Sequence, residues 1–392
     1  MKLAIITAFP PSKVTLNEYG YHLVKNFAQK NEISEVILLC DKTQDAKQLD
    51  FENSDKVKVR ECWSFNSYTN IISIMDAIRA EKPDAVLINL QFMKFGDKKV
   101  PAALGLMIPS VLRLNSIPTV SLLHNILEQV DLESAGFTDN KLAQRFYNFV
   151  GTSLTKFILK SDVVAVTINK YVEVLVKKYK VNNVIVVPHG TFDTIDEPSF
   201  DLVSGPKQIM AFGKFGTYKK VEILIEAAII IRKRSSEAIE VVVAGTDSPN
   251  TPGYLASVQK KYKDTPGIRF TGYVEEKDVP VIFGDSTVVA FPYTSTTGSS
   301  GVLHQAGSYG KAVVMPDLGD LALLVEEEGY KGEFFNPESA ESLATAIEKI
   351  INDDANRKSI AMQNFKAASA LSMVTITDMY LKTFQKIIKS KF

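Results

Sequence analysis

The sequence predicts an α/β protein made of two Rossmann-like domains, each with a doubly wound parallel sheet. Segments typical of strands and of helices alternate along nearly the whole chain, as they do in such sheets. The 392 residues are too many for one ordinary core and suit two domains. A polar stretch with two prolines, residues 191–206, interrupts the alternation, so we place the interdomain linker there.

The first half of the chain alternates short apolar runs with amphipathic segments. Residues 84–90 form a nearly continuous apolar run, which is typical of a strand buried on both faces of a sheet. Residues 16–28 carry apolar side chains at helical spacing. The predicted strands are 3–7, 35–40, 57–60, 84–90, 118–123, 163–167 and 183–187. The predicted helices are 16–28, 68–80, 101–114, 141–160 and 170–179, and the inward face of the second comprises Ile71, Ile72, Met75 and Ile78.

The second half repeats this alternation after the linker. Because ligands of open α/β sheets lie beyond the carboxyl ends of the strands, we expect functional side chains in the loops that follow strands. The predicted strands are 208–212, 239–244, 268–270, 288–291 and the apolar run that ends at Pro316. The predicted helices are 221–233, 251–263, 278–283, a short one after Gly301, then 321–327, 340–351, 356–370 and 376–389.

The composition favours a folded protein of a reducing compartment. Lys plus Arg equals Asp plus Glu, with 45 of each, so no net charge draws the chain to nucleic acid or to a membrane. Cys40 and Cys62 are too few for a disulfide framework. The apolar run at the start is too short for a signal peptide, and no run reaches the ~18 apolar residues of a membrane span. We therefore expect a cytoplasmic protein.

A run of threonine, serine and glycine, Thr294–Gly301, follows the predicted strand 288–291. Its hydroxyls suit the start of a helix, with Ser299 or Ser300 as the N-cap. A helix start collects unpaired N–H groups and the positive end of the dipole, so the run is a candidate site for phosphate or a polar sugar. An ordinary loop is the alternative. The apolar side chains that would face the sheet are Val302, Leu303 and Ala306.

A basic loop follows the predicted strand 208–212 and opens a helix. Gly213 begins this loop, and Lys214 and Lys219 flank its turn. Two fixed positive charges suit a diphosphate, especially one that departs as a leaving group. A solvated basic turn is the alternative, and the sequence GxxxxGK[ST] of a phosphate-binding P-loop is absent.

The chain has four histidines, and we rank His124 highest because it directly follows an apolar strand. His22 is expected to be structural or on the surface, turn geometry explains His189, and His304 is expected to be packed or hydrogen-bonded. The four do not share metal-ligand spacing, so no metal site is predicted. Neither GxGxxG after the first strand nor a GxSxG elbow is present, which disfavours a nicotinamide or flavin enzyme and an α/β-hydrolase.

The order of these motifs resembles that of a known family. Residues 210–316 resemble the nucleotide-binding domain of the retaining GT-B glycosyltransferases called group 1. AFGKFGTYKKVEILIEA is similar to the family's G-R/K…K-G-x-D-x-L-I-x-A, with Lys214, Lys219 and Glu222 at the charged positions. TGSSGVLHQAGSYGKAVV is similar to E-G-x-G-x-x-x-x-E-A-x-A-x-G-x-P-V-V, and VPHGTFD to P-x-G-v-D. His124 fits the histidine that ends a strand in the family's first domain.

The resemblance implies a GT-B fold whose two domains face a central cleft. Residues 1–195 would bind the acceptor, residues 205–370 would bind the donor, and the C-terminal helix 374–392 would pack back on the first domain. The implied reaction is retaining transfer of a hexosyl unit from a UDP- or GDP-sugar to a hydroxyl group, in the assembly of a polysaccharide, glycolipid or glycan. The donor is a substrate, and neither a cofactor nor a divalent metal is implied.

The resemblance also assigns roles to residues. The implied catalytic residues are His124, Lys214 and Lys219. The implied donor-binding residues are Gly213, Thr297, Gly298, Ser299, Ser300, Gly301 and Gln305. The family's two glutamates, eight residues apart, correspond here to Thr297 and Gln305, and Lys220 replaces the glycine that follows the second lysine. Gln305 can still exchange hydrogen bonds with a ribose hydroxyl, whereas Thr297 cannot replace a carboxylate.

Two other functions stay open beside the transferase. A catalytically silent GT-B subunit that binds sugar nucleotides is favoured by the lost glutamates and opposed by the retained Lys214, Lys219 and His124. A sugar-nucleotide epimerase on the same fold would need carboxylates that Thr297 and Gln305 do not supply. The basic and aromatic helix 141–160 either contacts an anionic membrane, which would bring a lipid-linked acceptor, or is a core helix with a basic exposed face.

Overall fold

The computed structural model divides the chain into two units, each built round its own parallel sheet. Unit 1 comprises Met1–Phe192 and Met373–Phe392, and unit 2 comprises Asp193–Ser372. The structure describes the chain apart from residues 48, 130–140, 193–195, 249, 297–298 and 392, and apart from the side chains of 129, 141–149 and 276.

The sheet of unit 1 has seven parallel strands in the order β3-β2-β1-β4-β5-β6-β7. Its strands are β1 (Lys2–Ile6), β2 (Glu35–Asp41), β3 (Val57–Trp63), β4 (Ala85–Leu90), β5 (Thr119–Leu123), β6 (Val163–Val166) and β7 (Val184–Val186). Its helices are α1 (Asn17–Ala28), α2 (Asn70–Glu81), α3 (Lys99–Leu106), α4 (Ile108–Leu114), α5 (Lys141–Ile158), α6 (Asn169–Tyr179) and, from the end of the chain, α14 (Met373–Lys391).

The C-terminal helix α14 completes the core of unit 1. Its apolar face, including Ile376, Tyr380 and Phe384, belongs to the same buried cluster as the strands and α1. Lys30, just after α1, reaches across with its Nζ 2.6 Å from Asp378 Oδ1. The last helix of the chain is therefore part of the first unit's core.

Two local predictions for unit 1 are wrong. The predicted helix 101–114 is two helices, α3 and α4, which are separated at Met107. Pro109 explains the break, because a proline is tolerated in the first turn of a helix but not in its interior. In α2 the inward residue is Ile74, which is fully buried, whereas Ile72 is 64% exposed.

The sheet of unit 2 has six parallel strands in the order β10-β9-β8-β11-β12-β13. Its strands are β8 (Lys207–Phe215), β9 (Ile239–Asp247), β10 (Ile268–Gly272), β11 (Val288–Ala290), β12 (Ala312–Pro316) and β13 (Glu333–Phe335). Its helices are α7 (Val221–Arg234), α8 (Tyr254–Lys261), α9 (Val279–Asp285), α10 (Gly301–Ser308), α11 (Gly319–Glu328), α12 (Ala340–Ile351) and α13 (Asp354–Ala370).

Unit 2 differs from the prediction at two strands. The edge strand β13 was not predicted, because its three residues are too few to show a period. Strand β8 extends three residues further than predicted, to Phe215, and pairs Lys214 with Thr246 of β9. Lys214 therefore lies on a strand and not in the turn that follows it.

Each sheet has one point where the strand order reverses. In unit 1 the point lies between β1 and β4, and in unit 2 it lies between β8 and β11. The loops that leave the carboxyl ends of two such strands run in opposite directions and leave a crevice, which is where open α/β sheets bind ligands. The two candidate sites described below lie at these two points.

Candidate functional site

In unit 2 the loops after β8 and β11 are joined through their backbones. Lys219 forms an isolated antiparallel bridge with Tyr293. The Lys220 amide donates to the Pro292 carbonyl over 2.8 Å, and the Thr294 amide donates to the Tyr218 carbonyl over 2.8 Å. The basic loop and the polar loop that the sequence singled out separately therefore form one wall.

Lys219 holds an ammonium group at this junction. Its Nζ lies 4.8 Å from the ring centroid of Tyr293 and 6.0 Å from that of Tyr218. Burial lowers the pKa of Lys219, and the neighbouring Tyr218 opposes the shift. Lys219 forms no ion pair with any carboxylate of the described residues. Aromatic faces attract a cation, but they do not neutralise it, so the site favours an anion.

A pocket of about 100 Å³ opens beside Lys219. One side of the pocket is the start of α10, whose first amides have no partner within the helix. The positive end of the helix dipole therefore adds to the charge of Lys219. The residues that line the pocket are Tyr218, Lys219, Tyr293, Thr296, Ser299, Ser300, Gly301, Val302 and Leu321.

The start of α10 follows the sequence prediction in its cap. Ser300 is the N-cap, and its Oγ accepts a hydrogen bond from the Leu303 amide over 3.4 Å. Leu303 and Ala306 are fully buried. Val302 is half-buried and lines the pocket, so its predicted orientation towards the sheet is wrong.

The structure brings some of the predicted donor-site residues together and leaves others apart. Lys219, Ser299, Ser300 and Gly301 share the pocket. Gly213 lies against Lys219, because a Cβ at Gly213 would stand 2.8 Å from the lysine Nζ.

Two further predicted residues do not line this pocket, and two cannot be placed. Lys214 is exposed on β8, and Gln305 is half-buried on α10. Thr297 and Gly298 lie outside the described residues.

Sequence reasoning missed the aromatic and apolar part of the pocket. Tyr218 and Tyr293 flank the ammonium group of Lys219, and Leu321 comes from α11, outside both motifs. Tyr218 is next to Lys219 in the sequence, and Tyr293 follows the strand β11, so both positions were visible as loop residues. No residue pattern, however, indicates that two tyrosines will meet a lysine.

In unit 1, His124 follows β5 and belongs to a buried polar network. Its Nε2 lies 2.7 Å from Asn89 Oδ1, while Asn89 Nδ2 donates to Thr7 Oγ1 over 3.0 Å. Because the amide nitrogen of Asn89 is already used as a donor, its oxygen accepts from His124, which fixes the proton on Nε2. Burial lowers the pKa of His124 well below its usual value, with smaller contributions from His189 and Lys94. His124 is therefore a neutral imidazole whose Nδ1 can accept a hydrogen bond.

The other histidines of unit 1 have packing roles. His22 is buried and stacks on Phe192, with the ring centroids 4.3 Å apart and the planes 7° from parallel. Nδ1 of His189 lies 3.0 Å from the carbonyl oxygen of Gly190, and burial lowers the pKa of His189 to about 4. Tyr19 packs edge-on against His124 and donates through its hydroxyl to the His189 carbonyl over 2.8 Å.

Two further features are absent from the described part of the chain. There, no group of three or more His, Cys, Asp or Glu side chains is arranged to hold a metal ion. Among the same residues, no helix combines the length and the apolar character needed to cross a bilayer. The prediction of a membrane-contacting face on helix 141–160 concerns side chains of which 141–149 lie outside the described residues.

Comparison with protein families matches the second unit. Residues 206–353 match the model of the family described as Glycosyl transferases group 1. The matched segment contains both loops of the pocket, from β8 through α12. A search of curated protein sequences finds no match to the chain.

Comparison with solved structures matches the whole chain. Sucrose-phosphate synthase from Thermosynechococcus elongatus is 17% identical, with a TM-score of 0.75 and 100% of both chains covered. A glycosyltransferase from Rickettsia africae is 16% identical, with a TM-score of 0.70 and 99% of both chains covered. HepE from Anabaena in complex with UDP is 16% identical, with a TM-score of 0.66 and 98% of this chain and 99% of that chain covered.

At these identities the structural likeness shows the fold, and it confirms the predicted GT-B architecture of two parallel-sheet domains. The family model adds that residues 206–353 of the second unit are similar to the group 1 family. The chain therefore has a GT-B fold, and its residues 206–353 are similar to the group 1 glycosyltransferases.

Proposed function

We propose that the protein is a retaining glycosyltransferase that moves a hexosyl unit from a UDP- or GDP-sugar to a hydroxyl acceptor. The observation that carries the proposal is the partly buried ammonium group of Lys219, which has no carboxylate partner among the described residues and borders a pocket at the start of α10. A partly desolvated cation next to the first amides of a helix suits the phosphoryl oxygens of a diphosphate.

In the proposed mechanism Lys219 stabilises the negative charge that grows on the diphosphate as it leaves. Such preorganised charge contributes most in the transition state, where the leaving group is most anionic. The first amides of α10 and the hydroxyl groups of Ser299 and Ser300 donate to the same oxygens. Lys214 adds a more distant charge from β8, and Gln305 holds a ribose hydroxyl group.

The acceptor side of the reaction is assigned to unit 1. His124 contacts the transferred sugar, and as a neutral imidazole it accepts a hydrogen bond from a sugar hydroxyl through Nδ1. The acceptor hydroxyl attacks on the face from which the diphosphate departs, as the family resemblance implies, so no protein nucleophile is required. The positive charge on the donor side comes from lysines, so the proposed reaction is independent of a divalent metal.

The comparisons support a nucleotide-sugar donor. HepE from Anabaena has the same fold and was solved with UDP and with UDP-glucose. TarM from S. aureus was solved with UDP and alpha-GlcNAc-glycerol. The proposed acceptor is a saccharide or a lipid-linked saccharide, and the proposed place of action is the cytoplasm or the cytoplasmic face of a membrane, with 141–160 as the contacting segment.

A catalytically silent subunit that binds sugar nucleotides is the second candidate. It is favoured by Thr297 and Gln305, which stand where the family has two carboxylates. The two candidates share the donor pocket and differ only in turnover.

A screen of UDP-, GDP- and ADP-sugars by thermal shift, followed by turnover with candidate acceptors, tests the proposal. A donor at 100 times its dissociation constant stabilises the protein by about 2.7 kcal/mol. We expect one nucleotide class to stabilise the wild type and to be consumed, and Lys219→Ala to lose both effects. Binding without turnover would favour the silent subunit, and neither binding nor turnover would overturn the proposal.

A further inference from the structure

A buried carboxyl group behind the donor pocket has no hydrogen-bond partner in the part of the chain that the structure describes. Glu328, the last residue of α11, has a side chain that is 5% exposed, and neither of its oxygens forms a hydrogen bond with a described residue. Burial raises the pKa of Glu328 to about 8, and the charge of Glu327 adds to the shift. Such a group destabilises the fold, so its presence calls for a reason other than stability.

His304 connects this carboxyl group with the pocket. Its Nε2 lies 3.6 Å from Glu328 Oε2 and 3.1 Å from the Oγ of Ser299, which lines the pocket. Its other nitrogen, Nδ1, lies 2.9 Å from the hydroxyl of Tyr330. His304 and Tyr330 are buried, so this chain of contacts links a buried carboxyl group to a pocket-lining hydroxyl group.

The position of one proton on His304 decides which groups in this series of contacts donate a hydrogen bond and which accept one. With the proton on His304 Nε2, the imidazole donates to Ser299 Oγ and accepts from Tyr330 through Nδ1. Ser299 must then turn its own O–H away from His304, and that hydrogen can be donated into the pocket. With the proton on Nδ1, Ser299 donates to His304 instead and offers the pocket only lone pairs.

We propose that Glu328 holds the proton of His304 on Nε2 and thereby makes Ser299 a hydrogen-bond donor to a phosphoryl oxygen of the donor substrate. Glu328 Oε2 lies 3.6 Å from Nε2, and it favours this tautomer as a carboxylate oxygen or as the carbonyl oxygen of a neutral carboxyl group that carries its hydrogen on Oε1. Ser299 then acts together with Lys219 and the first amides of α10, which all favour an anion. Glu328 and His304 are positioning residues, and Ser299 is the one that contacts the ligand.

In this assignment the carboxyl group that acts on the pocket belongs to α11, whereas the family motif carries its glutamates at the positions of Thr297 and Gln305. The family's first glutamate corresponds to Thr297, and Glu328 reaches the neighbouring Ser299 from α11 through His304. The inference rests on the proposed function only for the identity of the anion. The tautomer of His304 can be measured without any ligand.

The first test is the tautomer of His304 by NMR of protein labelled with ¹⁵N-histidine at pH 7. The chain has four histidines, so the signals are few, and His304→Gln identifies the one to follow. We expect His304 to carry its proton on Nε2 in the wild type and in Glu327→Met, the matched control one residue earlier on an exposed side chain. We expect Glu328→Met to shift the proton towards Nδ1. A wild-type proton on Nδ1, or no change in Glu328→Met, would overturn the proposal.

The second test is binding of inorganic pyrophosphate by titration calorimetry. We expect Glu328→Met and Ser299→Ala each to weaken binding about tenfold, the effect of losing one hydrogen bond to a charged group, and Glu327→Met to bind as the wild type does. His304→Gln should retain most of the affinity, because its side-chain amide still donates to Ser299, and adding Glu328→Met to it should have no further effect. A purely structural Glu328 predicts instead a lower melting temperature for Glu328→Met with unchanged affinity.

The two levels of the proposal fail in different ways. If Lys219→Ala binds pyrophosphate as tightly as the wild type, the pocket is not the anion site and the proposed function loses its support. If Lys219→Ala loses binding and Glu328→Met does not, the pocket stands and the role of Glu328 is refuted.

Discussion

Both units place a lysine at the point where the strand order of their sheet reverses, but the two ammonium groups have different neighbours. Lys94, in the loop after β4 of unit 1, is fully buried, with its Nζ 3.3 Å from the Thr15 carbonyl and 3.5 Å from Thr7 Oγ1. Lys219, in the loop after β8 of unit 2, lies against two tyrosine rings and borders a pocket. Unit 1 supplies its lysine with oxygen acceptors from its own chain, whereas the described residues of unit 2 supply none to Lys219.

The difference indicates which lysine is arranged for a ligand. Burial lowers the pKa of both residues, to about 7 for Lys94. Lys94 can avoid the desolvation cost of its charge by losing its proton, and the neutral amine then stays hydrogen-bonded inside unit 1. Lys219 gains more from an anion that enters the pocket, since the rings do not neutralise its charge. Desolvation of the lysine therefore affects the stability of unit 1, whereas in unit 2 it favours the binding of an anionic ligand.

The largest expected effect is on the stability of unit 1, through Lys94→Met. The pKa of Lys94 is about 7 in the folded chain and 10.5 ordinarily, so between these values the unfolded chain binds more protons. Wild-type stability therefore rises with pH across this window, by roughly 3 to 5 kcal/mol, and the cost of the buried ammonium is fully present below pH 7.

Lys94→Met removes the titrating group, so we expect its unfolding free energy to lack this rise. Urea unfolding of both proteins at pH 6 and at pH 9.5 measures the difference. Lys260→Met, at an exposed lysine of α8, is the control and should follow the wild type. If Lys94→Met and the wild type show parallel pH profiles, the amine of Lys94 is not desolvated as described.

The next largest effect is on turnover, through Lys219→Ala in unit 2. Removal of a preorganised charge from a developing oxyanion costs about 100- to 1000-fold in rate. We expect that loss in turnover of the nucleotide sugar found by the screen, and about tenfold for Lys214→Ala, because Lys214 is exposed on β8. Lys260→Ala should be unaffected. Equal losses for Lys214→Ala and Lys219→Ala would mean that burial of Lys219 adds nothing to its role.

The sequence predicted the fold well because the fold depends on local periodicity. Strands such as 84–90 and helices such as 16–28 show their period within a few residues, and the order of strands and helices limits the topology. The GT-B architecture is accordingly confirmed. Errors arose where local pattern was insufficient, as at Ile72, where two neighbouring isoleucines compete for the inward face, and at β13, which is too short to show a period.

The site was only partly predictable, because much of it depends on contacts between distant residues. Lys219 and Ser300 were found because they lie in polar loops after strands. Tyr293 and Glu328 were not, since a tyrosine after a strand and a glutamate at the end of an acidic helix are unremarkable until the chain is folded. The catalytic roles of His124, Lys214 and Lys219 and the donor-binding roles of the other residues remain predictions.

The smallest effect is expected from Gly213→Ala. This variant is also the most specific test of the comparison, because it changes the position of the Lys219 ammonium group. Gly213 has φ 126°, a conformation that strains any other residue, and a Cβ there would lie 2.8 Å from Lys219 Nζ. The ammonium group must move away from the glycine. Because the long side chain of Lys219 can adjust to the added methyl group, we expect about a tenfold loss of turnover. This loss is smaller than the loss for Lys219→Ala, since a misplaced charge keeps part of its effect.

Gly205→Ala separates displacement of Lys219 from backbone strain. Gly205 also has a positive φ, 113°, but a Cβ there would have no atom within 4 Å. We expect Gly205→Ala to cost at most about 1 kcal/mol of stability and to leave turnover unchanged. Adding Gly213→Ala to Lys219→Ala should lower turnover little further, because the displaced group is already absent. A large further loss in the double variant would show that Gly213 acts through the backbone of β8 and not through the position of Lys219.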